Sequence, residues 1–332
     1  MNIHIILSID YEQGGGRIGS IILRGLLSAP DLSITAIKRP ESKSTFPTAA
    51  NLKVVESNLS FDSLVSIFKG NDAVISVVGA TGISEQKPYV DAAVAAGIRR
   101  FLPSEFGVNG QSKTVQDMTP FFAVKQELLN YLVEKEKDGL TWTGLIVGAL
   151  FDWVRLSHVI MLCNRQSANA PKCLANGFIG FDLEHKRAMI WDDGNTIFSG
   201  LNEEDLGKAV VGVLKHPKET ANQFVYASSI AASQKEILAA LEQATSSKFE
   251  VSHVSTGAQL DGAREALGKG DFSGAFTIVK ATVLGNAPGL QQHFEVEEKD
   301  RLKNDILGIK KTTVQDTVDR ILASGEYSGA YF

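Results

Sequence analysis

Lys125 stands on a helix face that ought to be apolar. In "TPFFAVKQELLNYL" the apolar stripe runs through Phe121, Leu128 and Leu132, and Lys125 falls on it one turn after Phe121. A lysine so placed must be desolvated, snorkel its ammonium to water, or face a polar cavity. Facing a crevice, it could grip a ligand hydroxyl, steady negative charge developing on a substrate oxygen and exchange a proton there. A snorkelling stem is the competing reading. Just upstream, "FLPSEFG" brings Ser104, Glu105 and Phe106 to the end of a strand, where ligands of parallel α/β sheets bind. Glu105 could equally cap a helix. "VVGATG" puts Gly79 and Thr81 at the end of the preceding strand. "GALFDW" puts Phe151 and Trp153 after the following one, with His158 close behind as a substrate contact or as a packed or exposed histidine.

A second set of residues suits a phosphate. In "IHIILSIDYEQGGGRIGSIILRGLL" (3–27), Gly14, Gly16 and Gly19 satisfy G-x-G-x-x-G between a strand and a helix. Such glycines let the backbone approach a pyrophosphate, and the helix start, carrying Arg17 and Ile18, supplies N–H groups and positive dipole. The glycines come late, behind a polar stretch with Asp10 and Glu12, so residues 8–13 read as a tolerated bulge or as the displacement of one glycine. At the end of the second strand, an NAD-preferring fold carries Asp or Glu on the ribose. Here "AIKRPESK" offers Lys38, Arg39 and Lys43 instead. Arg39 would pair with a 2′-phosphate that a carboxylate would repel, so the pattern favours NADP(H). Exposed basic residues at a strand end are the alternative.

The elements that must position these groups alternate in the first half of the chain. Apolar runs at 4–7, 33–38, 53–57, 72–79, 99–104 and 142–148 read as strands, and 17–28, 60–70, 84–97 and 120–137 as helices. Thr119, Pro120 and Gly139 punctuate the last helix. The alternation predicts an α/β fold of βαβ units with a parallel sheet. A further helix and strand follow at 203–217 and 222–228, then a capped helix at 233–246 and helix or loop over 249–332. No linker separates independent domains, so the second half is expected to pack against the sheet and roof it. "DDGN" (192–195) reads as a hairpin turn, which removes Asp192 and Asp193 as metal ligands.

Composition narrows the function classes. A chain of 332 residues with 44% hydrophobic and 21% charged content suits a large-cored globular enzyme. Net charge is -5 without a Lys/Arg run, so nucleic-acid binding has no footprint. Cys163, Cys173 and the scattered histidines lack metal-site spacing, so no metal is expected. No apolar stretch suits a membrane span or a targeting signal, which makes the cytoplasm the expected location.

The stretches "GGGRIGSIILRGLL", "FKGNDAVISVVG", "QKPYVDAAVAAGIRRFLPSEFG", "FFAVKQELLNYL", "TWTGLIVGALFDW", "EEDLGKAVVGVLKHP" and "ANQFVYAS" carry a family likeness. The chain resembles the NmrA-like and isoflavone-reductase-like group of atypical short-chain dehydrogenases, most of all its fungal members. The resemblance implies NADP(H) binding on a Rossmann-like doubly wound parallel sheet over 1–155, completed by about 203–228. It also implies a smaller C-terminal substrate-binding part over 156–202 and 229–332, Arg39 as reader of the 2′-phosphate and Lys125 as the catalytic lysine. The sequence departs from the family where its first loop glycine would be Gln13, and where Asn58 replaces an acidic residue near the adenosine. The tyrosine of the ordinary Tyr-x-x-x-Lys pair is Phe121 here, which fits the isoflavone-reductase-like pattern.

The leading expectation is therefore an NADP-dependent oxidoreductase reducing a small hydrophobic substrate, with Lys125 assisting at oxygen. Leu150, Phe151, Trp153 and Met161 suggest an aromatic or polyketide-like compound, and the resemblance suggests fungal secondary metabolism. The alternative is a redox-sensing NmrA-like regulator that binds NADP(H) and a protein partner without chemistry. Lys125 speaks for the enzyme and the altered loop for the regulator. The residues give no oligomeric state.

Overall fold

A computed structural model describes residues 2–7, 16–42, 44–152, 178–290 and 292–323. The chain opens with β1 (Asn2–Leu7), α1 (Gly16–Leu27), β2 (Ser33–Lys38), β3 (Leu52–Glu56), α2 (Phe61–Phe68) and β4 (Ala73–Val77). There follow α3 (Gln86–Ala95), β5 (Arg100–Leu102), α4 (Lys113–Met118), α5 (Pro120–Lys135), β6 (Thr141–Ile146) and β7 (Ala149–Leu150). Next come β8 (Phe181–Asp182), β9 (Arg187–Trp191), β10 (Ile197–Leu201), α6 (Glu203–Lys215), β11 (Gln223–Tyr226) and β12 (Ile230–Ser233). The last elements are α7 (Gln234–Thr245), β13 (Glu250–Val254), α8 (Thr256–Gly268), α9 (Ser273–Leu284), α10 (Phe294–Glu297), α11 (Asn304–Leu307) and α12 (Val314–Ala323).

Seven parallel strands form the main sheet in the order β11-β6-β5-β4-β1-β2-β3. This is a Rossmann-like α/β fold. Every residue of β4 is buried, because helices cover both faces and a parallel strand must then be apolar throughout. The edge strand β3 instead shows Lys53, Val54 and Glu56 to solvent. One face packs α1 and α6 over Leu26, Ile75, Leu145 and Val210. The other packs α2, α3 and α5 over Phe68, Val90, Phe101 and Leu132. Helices α1 and α6 touch backbone to backbone: a Cβ added at Gly25 would lie 2.2 Å from the Gly207 Cα, so only glycine fits the crossing.

Helix α5 starts where its signals indicate. The Thr119 side chain accepts from the Phe121 N–H, and Gly139, at φ +84°, closes the following turn. Strand β11 joins the sheet from far along the chain, and Asn222 Oδ1 accepts from Trp142 N at 3.1 Å, 80 residues away in sequence. Its outer edge is covered in turn, since Tyr226 exchanges backbone bonds with Arg301 and Lys303.

The remaining elements build two three-stranded sheets, β12-β10-β7 and β13-β9-β8, around a core that includes Trp191, Phe198, Ile237 and Ile278. Two expectations are corrected here. "DDGN" is a turn but not a hairpin, because β9 and β10 lie in different sheets. Asp192 takes φ 51° and its carboxylate accepts from Thr256 N at 2.8 Å, so the turn is anchored to the start of α8. The stretch after 249 also contains a strand, β13, which pairs in parallel with β9.

Candidate functional site

The sheet order reverses between β1 and β4, and ligands of doubly wound folds sit beyond the strand carboxyl ends at that reversal. Lys38 ends β2 and Arg39 follows it. Gly79 lies just after β4, ahead of a short 3-10 turn (Ala80–Glu85) that contains Thr81. Ser104 and Glu105 follow β5, and α5 carries Lys125 over them. Helix α1 begins at Gly16, with Arg17, Ile18 and the buried Gly19 in its first turn, and Ile18 packs against the core of that face. These residues gather along one end of the sheet. From β2 to β5 is three strand spacings, about 14 Å. Gly14, Lys43, Trp153 and His158 lie outside the described residues.

The loop after β5 is wound tightly. Glu105 N donates to Pro103 O at 2.8 Å and Gly107 N to Glu105 O at 2.5 Å, each bond closing a turn of three residues. The Gly107 carbonyl accepts from both Val147 and Gly148, which fixes the loop to the end of β6. Held this way, Glu105 turns inward and meets Lys125, whose Nζ lies 3.1 Å from Oε2. The lysine side chain is 11% exposed and the glutamate 5%, so the ion pair is largely dry. The ammonium also stands 5.4 Å from the Phe121 ring centre, a cation–π contact. Glu105 is thus a charge partner of Lys125 and no helix cap.

Ser104 holds two strand ends together. Its Oγ donates to Val78 O at 3.0 Å, and its N–H donates to Gln86 Oε1, also at 3.0 Å. Gln86 is fully buried and had no signal of its own beyond standing at a helix start. Phe106 and Phe151, expected against a substrate, are both packed in the protein core. Phe106 belongs to the core under α1, and Phe151 is fully buried, with its ring centre 6.5 Å from that of Phe198. Lys125 and Glu105 border a narrow crevice under α5 that runs past Leu128, Leu132, Trp142 and Phe224; it has no room even for a water molecule, and we assign it to packing beneath the helix.

Tyr226 lies in the same core and was not singled out by sequence. Its ring is fully buried, 5.0 Å from Phe294 and under the Arg301 guanidinium. Burial, then the Glu298 charge, raises its pKa, and Glu105 adds to the effect. At the other end of the site, Lys38 pairs with Glu56 at 3.0 Å and Arg39 with Glu85 at 3.1 Å. Burial raises the pKa of nearby Tyr89, helped by the Glu85 charge and opposed by Arg39.

No helix among the described residues is long and apolar enough to cross a membrane, and no cluster of three or more His, Cys, Asp or Glu among them could hold a metal ion. The NmrA-like family model matches residues 13–262. The chain belongs to that family. It is 29% identical to Oxidoreductase aprR of Aspergillus flavus over 318 residues, covering 95% of this chain and 99% of the relative. Oxidoreductase poxI of Penicillium oxalicum is 28% identical over 319 residues, covering 95% and 94%. Among solved structures, leucoanthocyanidin reductase of Vitis vinifera in its NADPH complex superposes with a TM-score of 0.67 at 19% identity, covering 97% of this chain and all of that one. The last likeness is one of fold.

Proposed function

We propose that this NmrA-like protein is an NADPH-dependent reductase of a small hydrophobic, aromatic or polyketide-like substrate, with Lys125 as the group that meets substrate oxygen. The observation that carries the reading is the dry Lys125–Glu105 pair beyond the carboxyl end of β5. A chain with only structural needs gains little from such a pair, because the desolvation of two charges offsets most of their attraction. The donor set fits the cofactor. A helix start follows β1, Lys38 ends β2 and Arg39 follows it, an arrangement that suits a 2′-phosphorylated dinucleotide. The relatives named as oxidoreductases and the fold shared with an NADPH-bound reductase support the same class.

Bound NADPH would supply the hydride. The chain's own work is positioning and charge. Lys125 offers N–H donors, fixed by Glu105 on one side and Phe121 on the other, to an oxygen on which negative charge gathers. Ser104 keeps the ends of β4 and β5 in register, so the floor of the site does not shift.

The test is a titration with NADPH and NADH read by nicotinamide fluorescence, followed by NADPH oxidation with aryl ketones, enones and quinones. Saturable binding with NADPH preferred is expected. Arg39→Ala should cost about 10–100-fold in NADPH affinity, the range for one charge-assisted contact, and leave NADH nearly unchanged. Binding of neither cofactor overturns the reading. Binding without turnover across the panel would favour a cofactor-sensing protein.

A further inference from the structure

The two ion pairs at the end of β2 have different origins. Lys38 and Glu56 are register partners on adjacent strands, so their contact is an ordinary cross-strand pair. Arg39 and Glu85 are not neighbours in the sheet. Glu85 ends the 3-10 turn after β4, and β1 lies between β4 and β2. Arg39 follows β2 and Glu85 leads into α3, so the two side chains, 46 residues apart in sequence, meet at 3.1 Å from elements that are not paired in the sheet. In the NADPH reading above, this is where the 2′-phosphate meets Arg39.

We propose that Glu85 is a counter-ion latch that sets cofactor preference: it occupies the guanidinium needed by a 2′-phosphate, and binding of that phosphate must open or share the pair. The inference rests on the NADPH reading above. Its chemistry is direct. Arg39 bonds Glu85 through one terminal nitrogen, Nη2, at 3.1 Å. A 2′-phosphate arriving at the same fork meets a positive charge already neutralised and a carboxylate that repels it. A cofactor without the 2′-phosphate meets neither effect. Glu85 thus lowers selectivity for NADPH below what Arg39 alone would give. The Glu85 side chain is 54% exposed and that of Arg39 30%, so the pair is loose enough to open without disturbing the fold.

The experiment compares wild type and Glu85→Gln by calorimetry with adenosine 2′,5′-bisphosphate and 5′-AMP, alongside NADPH and NADH titrations of wild type. Glutamine keeps an acceptor for Arg39 but removes the charge. Glu85→Gln should bind the bisphosphate about tenfold tighter, equivalent to ~1.4 kcal/mol, with 5′-AMP affinity within about twofold of wild type. Unchanged or weaker bisphosphate binding in the variant, with wild type preferring NADPH, overturns the latch and leaves the NADPH reading standing. Failure of wild type to bind either dinucleotide and of the variant to bind the bisphosphate overturns both.

Discussion

Replacing Lys125 removes more than a reacting group. Lys125→Met keeps the apolar stem and deletes the ammonium, leaving the Glu105 carboxylate, 5% exposed, without the charge that stands 3.1 Å from it. Orphaning one partner of a buried pair costs about 3–5 kcal/mol, against a total stability of roughly 5–15 kcal/mol for a folded domain. A fifth or more of the stability would then vanish with one side chain, and a loss of turnover would say nothing about chemistry. The remedy is to add Glu105→Gln. The double variant has no buried charge to orphan, and about 2 kcal/mol or more of the loss should return. Urea unfolding read by fluorescence gives both stabilities, provided the slope m is shared. NADPH oxidation should be absent from both variants, so activity stays lost while stability recovers. A Lys125→Met protein within about 0.5 kcal/mol of wild type would refute the argument, because the pair would then be no drier than a surface contact.

The remaining predictions concern packing and pH. Gly207→Ala gains up to about 1 kcal/mol of helix propensity, but its Cβ would lie 2.6 Å from the Gly25 Cα, a backbone atom that no rotamer change can move. Overpacking of that kind costs about 1–3 kcal/mol or more, so the net effect should be a lowered melting temperature; an unchanged one would mean that the helices separate freely. Asp152 accepts from Glu203 N at 3.0 Å, and burial, then the Glu203 charge, pushes its carboxyl from 3.8 up to about 6. With the folded value raised, the native state holds the proton more tightly. Asp152 therefore costs nothing at low pH, and stability falls as pH rises from about 4 to 6, by roughly 3 kcal/mol at most. Asp152→Asn should flatten that slope in a melting series and raise stability at pH 8; an unaltered slope would contradict the assignment.

Much of the sheet was legible in the sequence because its strands are buried on both faces. "AVISV" and "TGLIV" leave no polar alternation to misread, and Thr119 and Gly139 bracket α5 by local chemistry alone. What escaped depends on distant contacts. Strand β13, "EVSHV", is mostly exposed and has no apolar side to declare it, so only its pairing with β9 makes it a strand. "DDGN" has the chemistry of a turn, yet which strands it joins is decided by the sheets around it. In the site, Lys125 was conspicuous as a charge on an apolar stripe. Its partner Glu105 was visible only as a nearby carboxylate, and Glu85, 46 residues from Arg39, not at all. Phe106 and Phe151 are packed in the cores, a place the sequence could not assign because an aromatic residue after a strand serves a core as readily as a substrate.

The pairing of β11 with β6 also bears on how the protein is made. Asn222 meets Trp142 only after 80 further residues have been added, which takes about 4–16 s at 5–20 residues per second. Throughout that interval β6 is an unpaired parallel edge, with Leu145 and Ile146, buried in the finished fold, beside open backbone groups. The nucleotide-side sheet thus cannot be finished on the ribosome before the chain's middle has emerged and been set aside. A fragment ending after β6 would keep that edge permanently and should associate through it.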